Sequence, residues 1–263
     1  MEERFNDGAV GRFPAEDVLF KQALGSLGIF YAHPHTHVLM LTAFPPDYFT
    51  AAYKRSGNVK PYVERGWCFC ESSWAMLVKD YDLVLDLGKD TGEGVFDAAK
   101  CRQGRKAPVL PAEFVAQLQS KGFTNGSTDK PLVAGLYSKG FEERFGGATR
   151  LIYSGLGWGA EQARAVVRVL PHAPALQKLN LDSNSIGDKG ARALAEALPH
   201  TAALQVLDLD SNSIGDEGAR ALTGSLPHAP ALQTLFTASN SIGDEAKAAL
   251  RKAWETRGGC LSM

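Results

Sequence analysis

The chain has 263 residues, 44% hydrophobic and 22% charged, with a formal net charge of -1 and a pI near 6.6, which is enough for one or two domains with buried cores. Near-neutrality removes the electrostatic basis for nucleic acid or an anionic membrane as partner. The acidic start, the lack of any apolar run approaching roughly 18 residues, and four scattered cysteines, Cys68, Cys70, Cys101 and Cys260, predict a cytoplasmic protein with reduced thiols.

In chain order, residues 1–14 are expected to be disordered. A helix is predicted over 16–31, with Val18, Leu19, Ala23, Leu27 and Phe30 on its buried side. His33, His35 and His37 alternate as a metal face would, but Pro34 interrupts them and no carboxylate or thiol is near in sequence, so a solvated loop is expected and no metal is assigned. The apolar run 37–42 fits a buried strand, ended by Pro45-Pro46. A second helix from about Glu64 places Trp67, Cys70, Trp74, Leu77, Val78 and Tyr81 on one face, and 83–87 reads as a second strand. Helix, strand, helix, strand argues for a parallel α/β layer. The polar, Gly-rich segment 88–110 is expected to be a mobile loop. Amphipathic helices over 111–121 and 129–145 complete this module, residues 15–147.

In the second helix Glu71 lies between Trp67 and Trp74, about 60° from the centre of the apolar stripe. A half-buried carboxylate needs a donor or a chemical role. Pairing with Arg65 or backbone amides is the expected explanation. An apolar strand ending in Thr42, a loop, then Trp67-Cys68-x-x-Glu71 on a helix resembles the middle of a TIR-type domain in truncated or degenerate form, over residues 17–87. That resemblance implies Glu71 as the catalytic residue of NAD cleavage, with NAD as substrate and no cofactor. Catalysis requires a cavity beside Glu71 at the carboxyl edge of the strand ending in Thr42. A structural role requires Trp67, Trp74 and a donor such as Arg65 to enclose it, which is the expected outcome.

From residue 148 the chain repeats every 28 residues. Residues 171–198 and 199–226 agree at 20 of 28 positions, and a third copy starts at Pro227. Leu151, Tyr153, Trp158, Val166 and Leu170 fall on Leu179, Leu181, Ile186, Leu194 and Leu198, which marks a degenerate first copy. Leu179 and Leu181 flank Asn180, a short strand with leucines inward and Lys178, Asn180 and Asp182 outward. Asn184, Asn212 and Asn240 recur at the next turn as structural residues that satisfy backbone groups. Asp188, Asp216 and Asp244 suit helix N-caps, and Ala191, Leu194, Ala195 and Leu198 form a buried helical stripe.

The pattern LxxLxLxxNxIGDxGAxxLAxAL resembles the ribonuclease-inhibitor-like class of leucine-rich repeats. The resemblance implies an α/β fold: a small α/β module followed, over 148–255, by a solenoid with parallel strands inside and helices outside, then a tail, 256–263. It also implies a concave strand face that binds another protein. The predicted contact residues are Lys178, Asn180, Asp182, Val206, Asp208, Asp210, Thr234 and Phe236, with Phe236 an exposed aromatic unless the tail around Trp254 covers it. Some proteins of this repeat class are GTPase-activating proteins, and Arg150 is the basic residue nominated for that weaker alternative. No G-x-x-x-x-G-K-[ST], G-x-S-x-G or H-E-x-x-H motif occurs. The expected function is a protein-interaction scaffold or adaptor, with NAD cleavage as the alternative.

Overall fold

The computed structural model describes residues 14–43, 60–90, 92, 94–123, 126–255 and 257–263. The expectations for residues 1–13 and for Pro45-Pro46 lie outside the described residues. The chain runs through α1 (Pro14–Ala32), β1 (Val38–Met40), a 3-10 turn (Tyr62–Glu64), α2 (Gly66–Ala75), β2 (Val84–Asp86), α3 (Ala98–Arg102), α4 (Pro111–Leu118) and α5 (Gly126–Gly146). Four strand–helix units follow: β3 (Arg150–Ile152) with α6 (Ala160–Val169), β4 (Lys178–Asn180) with α7 (Gly187–Ala197), β5 (Val206–Asp208) with α8 (Asp216–Ser225), and β6 (Thr234–Phe236) with α9 (Asp244–Glu255). A last strand, β7, spans Cys260–Ser262.

The repeat strands form one parallel sheet in the order β3-β4-β5-β6-β7. The register advances by one repeat per strand, Leu151 beside Leu179, Leu207 and Leu235, as the 28-residue period requires. These leucines are fully buried, as are Leu181 and Leu209, and α6, α7 and α8 lay their Ala and Leu/Val stripes over them. The turns after β4, β5 and β6 pass through a left-handed serine, Ser183, Ser211 and Ser239 (φ 52 to 55), a conformation disfavoured for a residue with a Cβ. The turn asparagines hold it. Asn184 donates to the Tyr153, Leu181 and Asp182 carbonyls and accepts from the Leu156 and Trp158 amides. Asn212 and Asn240 repeat this one and two units on, so each amide ties two neighbouring repeats together.

The repeat aspartates cap, but not the helix they precede. Asp188 Oδ1 accepts the Gly215 and Gly218 N–H groups (2.7 and 2.8 Å) at the start of the next repeat's helix, α8. Asp216 accepts the Gly243 N–H (2.7 Å) ahead of α9 in the same way. A carboxylate in the first turn of one helix thus neutralises the positive end of its neighbour, a contact that exists only once the repeats stack.

The tail is a fifth strand. Gly258 and Gly259 (φ 68 and 112) turn the chain back, and a Cβ on Gly259 would sit 2.3 Å from the Gln233 carbonyl oxygen, so glycine is required there. Arg257 caps three carbonyls of the preceding turn, those of Leu226, Ala229 and Leu232. β7 then pairs with β6, Phe236 opposite Ser262, and the Thr237 N–H and hydroxyl both donate to the Ser262 carbonyl (2.8 and 3.2 Å).

In the module, β1 and β2 pair in parallel, Val38 opposite Val84. The buried side expected for α1 is displaced: Val18, Leu19 and Phe30 are exposed, and Leu24 and Ala32 are buried instead. Apolar residues surround this helix, so periodicity did not select a face. α2 starts two residues after the expected Glu64 and ends at Ala75, and its core contact includes Phe69, which stacks on Phe114 (5.0 Å), itself stacked on Tyr137 (3.8 Å). The segment expected to be a mobile loop, 88–110, carries a 3-10 turn, α3 and the buried Cys101 and Arg105. Its order comes from tertiary contacts that composition does not encode. One buried cluster runs from Phe69 and Trp74 through Tyr153 and Trp158 to Trp254.

Candidate functional site

Three rows of side chains project from the repeat strands. Arg150, Lys178, Val206 and Thr234 form the first, and Ile152, Asn180, Asp208 and Phe236 the second. Asp182 and Asp210 follow just beyond the strands. The β-alternation that buries Leu179, Leu207 and Leu235 fixes these positions. Lys178 is exposed, the others from Asn180 to Phe236 are half-buried, and Ile152 is buried. Phe236, expected to be an open aromatic, is partly covered because β7 extends the sheet past it.

The polar groups on this face are cross-linked. Asn180 Nδ2 donates to Asp208 Oδ2 (2.9 Å), Ser154 Oγ to Asp182 Oδ2 (3.0 Å), the Asp210 N–H to Asp208 Oδ1 (3.2 Å), and the Ala238 N–H to Asp210 Oδ1 (2.6 Å). Partial burial raises the carboxyl pKa of Asp208 and of Asp210, and neighbouring carboxylates push the same way, against the backbone N–H bonds that favour ionisation. The face is therefore acidic at its centre, with Lys178 and Arg150 at one end. Arg150 is engaged: its Nη2 donates to Asp80 Oδ2 at 2.6 Å, tying β3 to the module.

Glu71 is half-buried on α2, and the Tyr31 hydroxyl of α1 is the neighbour that favours its ionised form. The expected donor, Arg65, gives its Nε to the Lys60 carbonyl (2.8 Å). Burial raises the Glu71 carboxyl pKa while the Tyr31 bond lowers it, and burial together with Glu71 lifts the Tyr31 phenol to about 12. A cavity of about 110 Å³ does open at the carboxyl ends of β1 and β2, lined by Thr42, Phe69, Ser72, Ser73 and Asp86 among others, but Glu71 is not among its walls. On α2 the cavity residues Phe69 and Ser73 lie on the side of the helix opposite Glu71.

Sequence reasoning passed over two buried cations. Lys79 donates to the carbonyls of His33 and Thr36 and to the Thr36 hydroxyl, just past the end of α1. Arg105 donates to the carbonyls of Ala75, Lys79 and Asp80, just past α2. Each meets the negative end of a helix. Among the described residues no group of His, Cys, Asp or Glu could hold a metal ion, and no helix is long and apolar enough to cross a membrane.

A family model described as Leucine Rich repeat matches residues 172–195 and 203–222. The 28-residue units are leucine-rich repeats. No curated protein sequence matches the chain. Among solved structures, the actin-binding site 2 of leiomodin-1 aligns at 19% identity and TM-score 0.42, covering 46% of this chain and 73% of that one. An internalin from Listeria monocytogenes aligns at 13% identity and TM-score 0.32, covering 74% of this chain and 50% of that one.

Proposed function

We propose that this chain is a protein-interaction scaffold or adaptor whose leucine-rich repeats present the strand face to a partner protein, with Lys178, Asp182, Asp208, Asp210 and Phe236 as the principal contacts. The observation that carries this reading is the in-register parallel sheet, which sets rows of half-exposed polar side chains and one aromatic on a rigid, unbranched surface. Helices of 10 to 12 residues after each strand support the ribonuclease-inhibitor-like subclass. An acidic centre on that face favours a partner with a basic surface.

The test is affinity capture from a cell extract with wild type and with Asp208→Lys/Phe236→Ala, each checked for fold by circular dichroism. The expected result is a protein retained by wild type and lost by the folded double variant. Equal retention by both would move the contact to the α/β module. The NAD-cleaving alternative is not advanced, because Glu71 does not line the cavity. Nicotinamide release by wild type that vanishes in Glu71→Gln would reinstate it. The GTPase-activating alternative rests on Arg150, whose guanidinium is bonded to Asp80.

A further inference from the structure

The cavity at the carboxyl ends of β1 and β2 has a charge pattern that the scaffold reading does not use. Its lining is apolar at Met40, Phe69, Met76, Val84 and Val109, and it also carries Lys89, Arg102, Lys106 and the buried Arg105. Among the described residues Asp86 is the one carboxylate in the lining, and it is satisfied from within: its Oδ1 accepts from the Thr42 hydroxyl and the Gly88 N–H. Its other oxygen is 4.0 Å from Lys89 Nζ. Asp90 and Asp97, which lie near the buried Cys101 on the same side, each accept a local backbone N–H, from Gly92 and Lys100.

Arg105 is the informative residue. It is 5% exposed, its Nη groups are occupied by carbonyls, and its Nε has no acceptor among the described residues. A buried N–H donor without a partner costs free energy comparable to a lost hydrogen bond. The neighbouring cations have soft partners: Lys106 lies over the Phe69 ring at 5.8 Å and Arg102 over the Tyr81 ring at 5.2 Å. Ligands of open parallel sheets bind at this strand edge, and an apolar hollow with a few convergent polar groups is the ordinary form of a small-molecule site.

We propose that this cavity binds a small organic anion, a carboxylate or phosphate monoester carried on an apolar body. The anionic group lies toward Arg105 and Lys106, and the body against Phe69, Met40 and Met76. The site is a binding site and not a catalytic one, and it stands independently of what the strand face contacts.

Titration calorimetry and ligand-observed NMR on the full chain test it with four probes: phenyl phosphate, benzoate, inorganic phosphate and the neutral benzyl alcohol. The expected result is a Kd below about 1 mM for phenyl phosphate or benzoate, with inorganic phosphate and benzyl alcohol each at least about tenfold weaker. Phenyl phosphate as the tighter of the two assigns a phosphate monoester, and benzoate as the tighter assigns a carboxylate. Arg102→Gln/Lys106→Gln, at lining residues, should weaken the organic anion at least about tenfold while leaving the circular dichroism spectrum unchanged. Arg105→Lys should weaken it as well; if that variant does not fold, the double variant decides. No organic-anion binding up to about 10 mM, equal binding of benzyl alcohol, or unchanged affinity in the folded double variant would each overturn the proposal.

Discussion

Leu207 has no exposed surface and sits in the middle strand of the sheet, with a leucine of the same row on either side. Leu207→Ala should cost about 2–5 kcal/mol, because the neighbouring repeats cannot collapse into the void. Asp210→Ala should cost about 1 kcal/mol, from the lost acceptor for the Ala238 N–H. Urea denaturation of both variants checks the difference, and equal effects would contradict the inward and outward assignment. Lys79 makes a pH prediction. Burial first, then the nearby Arg105 and Arg144, lowers its pKa to about 8, whereas the unfolded chain holds that proton to about 10.4. Between these values the unfolded state binds more protons, so stability should rise as pH rises from about 8 toward 10. Below about 8 the lysine is charged in both states and the burial cost is fully present. Burial also raises the thiol pKa of Cys70, Cys68 and Cys101, which opposes the Lys79 contribution above about pH 8.5, and Tyr137 and Tyr153, which burial holds protonated beyond the ordinary range, oppose it above about pH 10. Urea midpoints at pH 7.5, 8.5 and 9.5 should therefore move upward in wild type relative to Lys79→Met as pH rises, and a constant gap between the two would contradict the Lys79 assignment.

Helix junctions carry the inter-repeat specificity. A Cβ on Gly218 would stand 2.8 Å from Asp188 Oδ1, 2.7 Å from Ile214 Cγ2 and 3.0 Å from Ala191 Cβ, so the glycine keeps the cap of α8 open to the preceding repeat. Gly224, in the same helix, would meet nothing within 4 Å. Gly224→Ala should therefore stabilise by about 0.5–1 kcal/mol through helix propensity, and Gly218→Ala should destabilise despite the same propensity gain. Thermal melts of the two single variants moving in opposite directions would establish this. Two shifts in the same direction would mean that the Asp188 cap is not worth protecting.

The two parts of the molecule meet at the degenerate first repeat. Where the later repeats have Leu181 and Ile186, the first has Tyr153 and Trp158, whose hydroxyl and indole N–H donate to the carbonyls of Leu77 and Arg105 in the module. Arg168 with Glu113 (3.0 Å) and His172 against the Phe141 ring (5.1 Å) extend the contact. The aromatic substitutions are thus the docking surface for the module and the cap of the solenoid's first end. Restoring the repeat pattern with Tyr153→Leu/Trp158→Ile should cost about 3 kcal/mol or more. Hydrogen exchange should lose protection in α2 and in 98–110 while β4 to β6 retain theirs. Uniform loss across both parts would show that they unfold as one unit.

The sequence by itself determined the solenoid, because a 28-residue period of leucines can bury its apolar face only by stacking parallel strands against helices. It also placed the turn asparagines and the outward rows, since β-alternation and the position of a turn are local properties. What the tertiary structure decided were contacts between distant segments. Asp188 caps a helix 27 residues away, Tyr31 rather than Arg65 is the group that favours ionised Glu71, and Gly258-Gly259 fold the tail into β7 beside Phe236. In the module, α1 carries apolar residues on every side, so only packing against the rest of the chain selected Leu24 and Ala32. Arg105 sits in a segment whose composition reads as loop; its burial arises because Ala75, Lys79 and Asp80 supply carbonyls to its guanidinium and the Trp158 indole docks on its own carbonyl.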